Sequence, residues 1–208
     1  NFTIKDGSFS KIPVWQTAID HAVKNKSAIH LAGLLSAGGI HSHKDHLLAI
    51  LRLLAERNFS GKVFIHIFTD GRDAPVNSGE FFVRELEDQL KDLKIGKIVT
   101  VVGRYYAMDR DKRTERTKTA FDAMVNGRGE SAVSAAEAIK NSYQQGITDE
   151  FIKPAITDQE GRVKPNDALI FFNFRPDRMR QLAESFINAK IENLFFKGSL
   201  SNSCCSLR

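Results

Sequence analysis

The chain has 208 residues, of which 42% are hydrophobic and 26% charged, an ordinary balance for a soluble domain large enough to bury a real core. The formal net charge of +5 is modest, and many arginines fall at strand-to-helix junctions rather than on helix faces, which favours a small anionic ligand and ranks nucleic acid, which needs an extended basic stripe, last. No apolar run approaches the roughly 20 residues of a membrane-spanning helix. The two cysteines are adjacent, Cys204 and Cys205, which excludes a disulfide framework; with no basic-then-apolar leader at Asn1–Lys5, the expectation is a cytoplasmic protein.

Residues 1–14 read as a lead-in with a turn at Asp6-Gly7 and a stop at Pro13. Trp15, Ala18, Ile19 and Ala22 then fall on one stripe of a helix from Trp15 to Lys24. Ala28–Leu35 is an apolar strand that breaks at Ser36 and two glycines, and an amphipathic helix, His46–Arg57, follows. Lys62–Phe68 is a second strand, closed by TDGRDAP, with a helix from Ser78 to Leu93. Lys97–Val102 is a third, ending in Gly103-Arg104-Tyr105-Tyr106. Helices are predicted over 111–125 and 131–145, and 149–163 reads as irregular. Asp167–Phe172 is a fourth strand that empties into Asn173-Phe174-Arg175-Pro176-Asp177-Arg178, and a closing helix reaches Phe186. Strands alternating with helices predict a single α/β domain over 1–190, layered α/β/α around a mixed, largely parallel sheet. Residues 191–208, in which ENLFFKGS at 192–199 resembles a protease-cleavage linker, are expected to lie outside the fold as an appended or disordered tail.

Each strand ends in a polar turn. The first supplies His41, His43 and His46; the second Asp70, Arg72 and Asp73; the third Arg104, Asp109, Arg110, Arg113 and Arg116; the fourth Asn173, Arg175, Asp177 and Arg178. In a largely parallel sheet these turns share the carboxyl edge, where ligands collect. Converging guanidinium forks suit phosphate and carboxylate oxygens, so the expected ligand is a small, multiply negative metabolite. The bland alternative is that Asp70, Asp73, Asp109 and Asp177 simply pair these arginines on the surface. Tyr105 and Tyr106 read as wall or core, and His30 and His66, inside strands, as satisfied core histidines. A competing reading takes HSHKDH as a mononuclear metallohydrolase site, since His41, His43 and His46 have metal-ligand spacing, although no histidine follows His66 to complete a dinuclear centre. No GxxxxGK[ST], GxGxxG or GxSxG motif is present.

Taken together, GLLSAGGIHSH, FTDGRDAP, GRYYAMDRDKRTER and FFNFRPDR resemble, in order, the motifs of cofactor-independent (2,3-bisphosphoglycerate-independent) phosphoglycerate mutases, over residues 6–186. The resemblance implies a two-domain metalloenzyme of the alkaline phosphatase superfamily that interconverts 3-phosphoglycerate and 2-phosphoglycerate in glycolysis and gluconeogenesis. One domain of such an enzyme carries two divalent metals (manganese or magnesium) and a transiently phosphorylated serine; the other, inserted in it, holds the glycerate. This chain matches only the inserted domain. The resemblance therefore implies no cofactor on this chain, a phosphatase-like metal domain of the same polypeptide as partner, and no turnover by this chain alone. A stand-alone module that binds a phosphometabolite is the alternative. Carried over by motif position, the substrate ligands are His41, Arg72, Asp73, Arg104, Arg110, Arg175 and Arg178, with Asp73 as the catalytic acid/base. Ala37 stands where the family usually has aspartate, and Thr114 where it usually has tryptophan.

Overall fold

The computed structural model describes residue 4 and residues 6–197. Among these, seven strands form one sheet in the order β4-β5-β3-β2-β1-β6-β7. The four long strands lie where the apolar runs predict them: β1 (Ile29–Leu34), β2 (Val63–Thr69), β3 (Lys97–Gly103) and β6 (Ala168–Phe171). Of these, β1 and β2 are buried along their whole length, as expected of parallel strands covered on both faces. β1 pairs in parallel with β2 on one side and β6 on the other, and β2 pairs in parallel with β3. Two short strands extend the β3 edge, β4 (Glu130–Ser131) and β5 (Ala155–Ile156), with β5 antiparallel to β3. The predicted fold class, a layered α/β/α domain with a mixed and largely parallel sheet, is the one observed.

The helices sort to the two faces by where their apolar stripes point. α1 (Pro13–Asn25), α2 (Lys44–Glu56), α3 (Gly79–Leu93) and α6 (Ala135–Gln144) pack through Trp15, Leu47, Val83 and Ile139 onto the face of Ile29, Leu31, Ile65 and Ile67. α5 (Thr114–Asn126) and α7 (Arg180–Asn188) pack through Met124, Leu182 and Phe186 onto Ala32, Leu34, Phe68 and Phe171 on the opposite face. The alternation of neighbouring residues between two cores is the period-two rule of a strand with no wet face.

Four expectations need correction. Pro13 does not stop the chain but begins α1, since proline lacks only an N–H that the first helical turn leaves unpaired anyway. Residues 111–113 and 131–134 lie outside the helices predicted over them, because α5 starts at Thr114 and α6 at Ala135, capped by the Ser134 hydroxyl. The stretch 149–163 carries β5 and two short 3-10 turns rather than being wholly irregular. Residues 191–197, expected outside the fold, supply the seventh strand: β7 (Phe195–Lys197) pairs in parallel with β6, and Leu194 and Phe196 are buried in the second core. The remainder of the predicted tail, 198–208, lies outside the described residues.

Candidate functional site

The strand order reverses at β1. The chain runs from β1 to β2 and β3 on one side, while β6 lies on the other, so the helices that follow β1 and β6 pack on opposite faces of the sheet, the arrangement at which ligands collect in open α/β sheets. Backbone bonds tie the loops that leave β1 and β6, since the Phe174 and Arg175 amides donate to the His41 carbonyl at 3.0 and 3.3 Å. The β1 loop also leans on the β2 loop, and Gly38 is needed there because a Cβ at that position would stand 2.3 Å from the Asp73 carbonyl oxygen. Ala37 is exposed in the same turn, which is held by the Gly38 amide donating to Ser36 Oγ at 3.0 Å. Thr114, the other departure, is exposed at the start of α5.

A buried polar knot anchors this edge of the sheet. Asp70, 1% exposed, accepts from Ser36 Oγ (2.5 Å), the Arg72 amide (3.1 Å), the Asp73 amide (3.0 Å) and Arg104 Nη1 (2.6 Å). Burial on its own would raise the Asp70 carboxyl, but these donors outweigh it and hold the group below its ordinary value. Arg104 stands at the start of α4 (Arg104–Ala107), directly after β3. It gives a second bond from the same nitrogen to Asp73 Oδ2 at 2.7 Å. Burial opposes its charge, yet the two carboxylates win and raise it further. Three of the four junctions are thereby tied through Ser36, Asp70, Asp73 and Arg104.

His41 joins the fourth. Its Nε2 lies 3.8 Å from Asp73 Oδ2 and its Nδ1 lies 3.7 Å from Asp177 Oδ1. Burial first, and the Arg104 charge second, hold the imidazole below its usual value, against the pull of Asp73 and Asp177. Asp177 is also met by Arg175 Nε at 2.8 Å and Arg110 Nη1 at 3.7 Å. Arg72, Arg104 and Arg178 line a cavity of about 250 Å³ together with Tyr105, Arg113 and Arg116. Burial lowers Arg178 most, and Arg110, Arg104 and Arg72 then press in the same direction. Its Nε is buried with no hydrogen-bond partner. The same cavity is also lined by Asp109, Asp111 and Glu150, which pair with Arg113, Arg116 and Arg72, so Arg178 is the arginine there whose donor is left over.

All seven residues singled out for the ligand therefore gather at one end of the sheet. The other histidines of the HSHKDH stretch do not join them. His43 caps α2, accepting from the Asp45 amide at 3.2 Å, and His46 is buried edge-on against the Phe174 ring. Among the described residues, no group of three or more His, Cys, Asp or Glu side chains is placed to hold a metal ion, so the metallohydrolase reading of that stretch finds no donor set. His30 and His66 form a buried chain of hydrogen bonds from Asp167 to Thr100, each link 2.9–3.0 Å, as satisfied core histidines. Tyr105 is wall, with the Arg116 guanidinium stacked 3.7 Å over its ring.

Sequence reasoning missed Asp149 and Glu150. Fully buried Asp149 caps α3, accepting from the Ser78 and Gly79 amides at 2.9 and 2.8 Å and from the Tyr143 hydroxyl at 2.5 Å. Burial raises its carboxyl. Glu150 lies 3.6 Å from Arg72. Ser78, the residue before α3, makes no side-chain cap bond.

The fold and the site together define an open α/β domain with a cluster of arginines at the carboxyl edge of its sheet. The model of one family, described as "BPG-independent PGAM N-terminus", matches residues 1–206. Similar curated proteins include 2,3-bisphosphoglycerate-independent phosphoglycerate mutases of Clostridium kluyveri and Desulforudis audaxviator. The first is 48% identical over 94% of this chain and 38% of its own length, the second 49% over 90% and 37%. A crystal structure of Leishmania mexicana phosphoglycerate mutase at low cobalt concentration superposes with a TM-score of 0.85 at 26% identity, covering 93% of this chain and 39% of that one. The chain belongs to the family of BPG-independent phosphoglycerate mutase N-terminal domains, and it spans about 38% of the length of the curated relative from C. kluyveri.

Proposed function

We propose that this chain is the phosphoglycerate-binding domain of a mutase that interconverts 3-phosphoglycerate and 2-phosphoglycerate, working with a phosphatase-like metal domain of the same polypeptide. The observation that carries the reading is the meeting of the strand-end loops at one sheet edge, with His41 and Arg104 on Asp73, Arg110 and Arg175 on Asp177, and Arg72 and Arg178 on the cavity that Arg104 shares. A phosphoglycerate carries close to three negative charges near neutral pH, given a second phosphate pKa of about 6. Several guanidinium groups offset that charge and fix the orientation of a small flexible acid. Asp73, paired with Arg104 at 2.7 Å and part-exposed, would accept a proton from a glycerate hydroxyl. His41, facing the same oxygen, is placed to meet the phosphate.

The metals and the phosphorylated serine of such a mutase belong to the domain outside this chain. When bound there, the metals supply charge stabilisation for phosphoryl transfer; the residues here bind, orient and take up a proton. Calorimetric titration of 3-phosphoglycerate into the 208-residue chain tests the reading. Saturable binding is expected, weakened at least about tenfold by Arg72→Ala or Arg175→Ala, as for loss of a charge-assisted bond. No binding by the wild-type chain, or rapid mutase turnover by it alone, would refute the assignment.

A further inference from the structure

Asp177 is the point at which three candidate ligands from three junctions meet: His41 after β1, Arg110 after β3 and Arg175 after β6. Two atoms in this contact stand out. His41 Nδ1 and Asp177 Oδ1 are both buried without a hydrogen-bond partner, and they face each other across 3.7 Å. Arg175 Nε lies 2.8 Å from the same carboxylate oxygen as a charge neighbour without giving it a hydrogen bond. Buried orphans are costly, and closure by less than about 1 Å would satisfy both atoms.

A neutral imidazole has a single N–H to give. On its Nε2 side stands Asp73 Oδ2, which already accepts from Arg104 at 2.7 Å. On its Nδ1 side stands an oxygen that accepts from nothing. The proton therefore belongs on Nδ1, because placing it on Nε2 would leave two buried lone pairs in opposition. The charged groups facing the ring are Asp73, Asp177, Arg104 and Arg175.

We propose that Asp177 is a positioning residue: it holds the Nδ1–H of His41, so that the unprotonated Nε2 is the nitrogen presented to the ligand beside Asp73. Asp177 itself does not touch the reacting atoms. The free Nε2 lone pair can accept the proton of a monoprotonated phosphate, whose O–H bond breaks as the N–H bond forms. The resulting imidazolium, held between two carboxylates, donates to that same phosphate oxygen, while the hydroxyl proton is left to Asp73. The arginines set the counterweight. An incoming anion that draws Arg175 and Arg110 to itself releases Asp177 to close on His41.

The affinity part of the test rests on the phosphoglycerate reading; the spectroscopic part does not. Long-range ¹H–¹⁵N correlation of the histidine rings in the 208-residue chain at pH 7.5 should show His41 as the Nδ1–H tautomer, and Asp177→Ala should move it toward Nε2–H. Finding wild-type His41 protonated on Nε2 overturns the proposal, whatever the variants do. Removing a carboxylate from an arginine site should by charge alone tighten anion binding, whereas loss of positioning should weaken it. The expectation is that Asp177→Asn and Asp177→Ala lower 3-phosphoglycerate affinity about tenfold in the wild-type background and leave it equal or tighter in a His41→Ala background. Equal tightening in both backgrounds would assign Asp177 a charge role only and overturn the proposal. If the wild-type chain does not bind 3-phosphoglycerate, the functional reading fails while the tautomer measurement still decides the role of Asp177.

Discussion

Replacing Arg104 with alanine removes the cation that bridges Asp70 and Asp73. Removing one partner of a buried ion pair costs about 3–5 kcal/mol, because the other charge is left uncompensated. Here the loss should sit near the lower end, ~3 kcal/mol, since Asp70 keeps bonds from Ser36 Oγ and the Arg72 and Asp73 amides, and the Asp73 side chain is 20% exposed. For a domain of this size each kcal/mol moves the midpoint by about 2–4 °C, so the thermal transition should fall by about 6–12 °C. Asp70→Ala should cost more, because it strands the Ser36 hydroxyl and two amides at once and leaves Arg104 with Asp73 alone. The pH dependence has a definite sign. Asp70 is held below its ordinary 3.8, so its contribution is fully present above that value and fades as pH falls through the lower folded-state value. The gap between wild type and Arg104→Ala, measured by circular dichroism melts, should therefore be wide at pH 7.5 and narrower at pH 3.5. A wild-type midpoint for Arg104→Ala, or a gap that grows on acidification, would refute the reasoning.

The other predictions concern the core and the loops. His66 is fully buried and its imidazole is pushed well below the usual value, chiefly by burial; the unfolded chain takes up the proton near pH 6.5, so stability falls as pH drops. A histidine kept neutral throughout contributes a loss of about 1.4 kcal/mol between pH 7.5 and 5.5, or roughly 3–5 °C in midpoint. His41 and His46, also lowered by burial, act in the same direction; a midpoint that rises over this interval would contradict the scheme. Gly38→Ala should force the Asp73 backbone away from the β1 loop at a cost of about 1–3 kcal/mol and weaken 3-phosphoglycerate binding in the same titration; unchanged affinity would show that the loop contact does not position Asp73. Asp149→Ala should lower urea-denaturation stability by ~1–2 kcal/mol for the lost cap of α3, plus ~1–3 kcal/mol for the stranded Tyr143 hydroxyl, and a loss under 0.5 kcal/mol, the usual size of a neutral surface change, would show the cap to be dispensable.

The arginine cluster was legible because its members follow apolar runs at matching places. Arg72, Arg104 and Arg175 each stand within a few residues of a strand's carboxyl end, and parallel strands put those ends on one edge. Asp149 was not legible, since it reaches α3 from a segment with no periodicity, about 70 residues further along the chain. β7 was not legible for a related reason. It has three residues, too few for a strand pattern to show, and its burial comes from the edge of β6 and from Phe171 and Phe186 around Phe196.

Local chemistry along the chain determined where strands stop, which turns need glycine and which side chains carry charge at each stop, because hydrophobic period and turn preference act over a few residues. Only the tertiary structure decided that β6 lies beside β1, which brings Asp177 to His41 across most of the chain. It also decided how each arginine is matched, with Arg104 sunk between two carboxylates while Arg110 and Arg175 remain half-exposed and share one. Such pairings depend on long-range strand order and burial, which no short window of sequence contains.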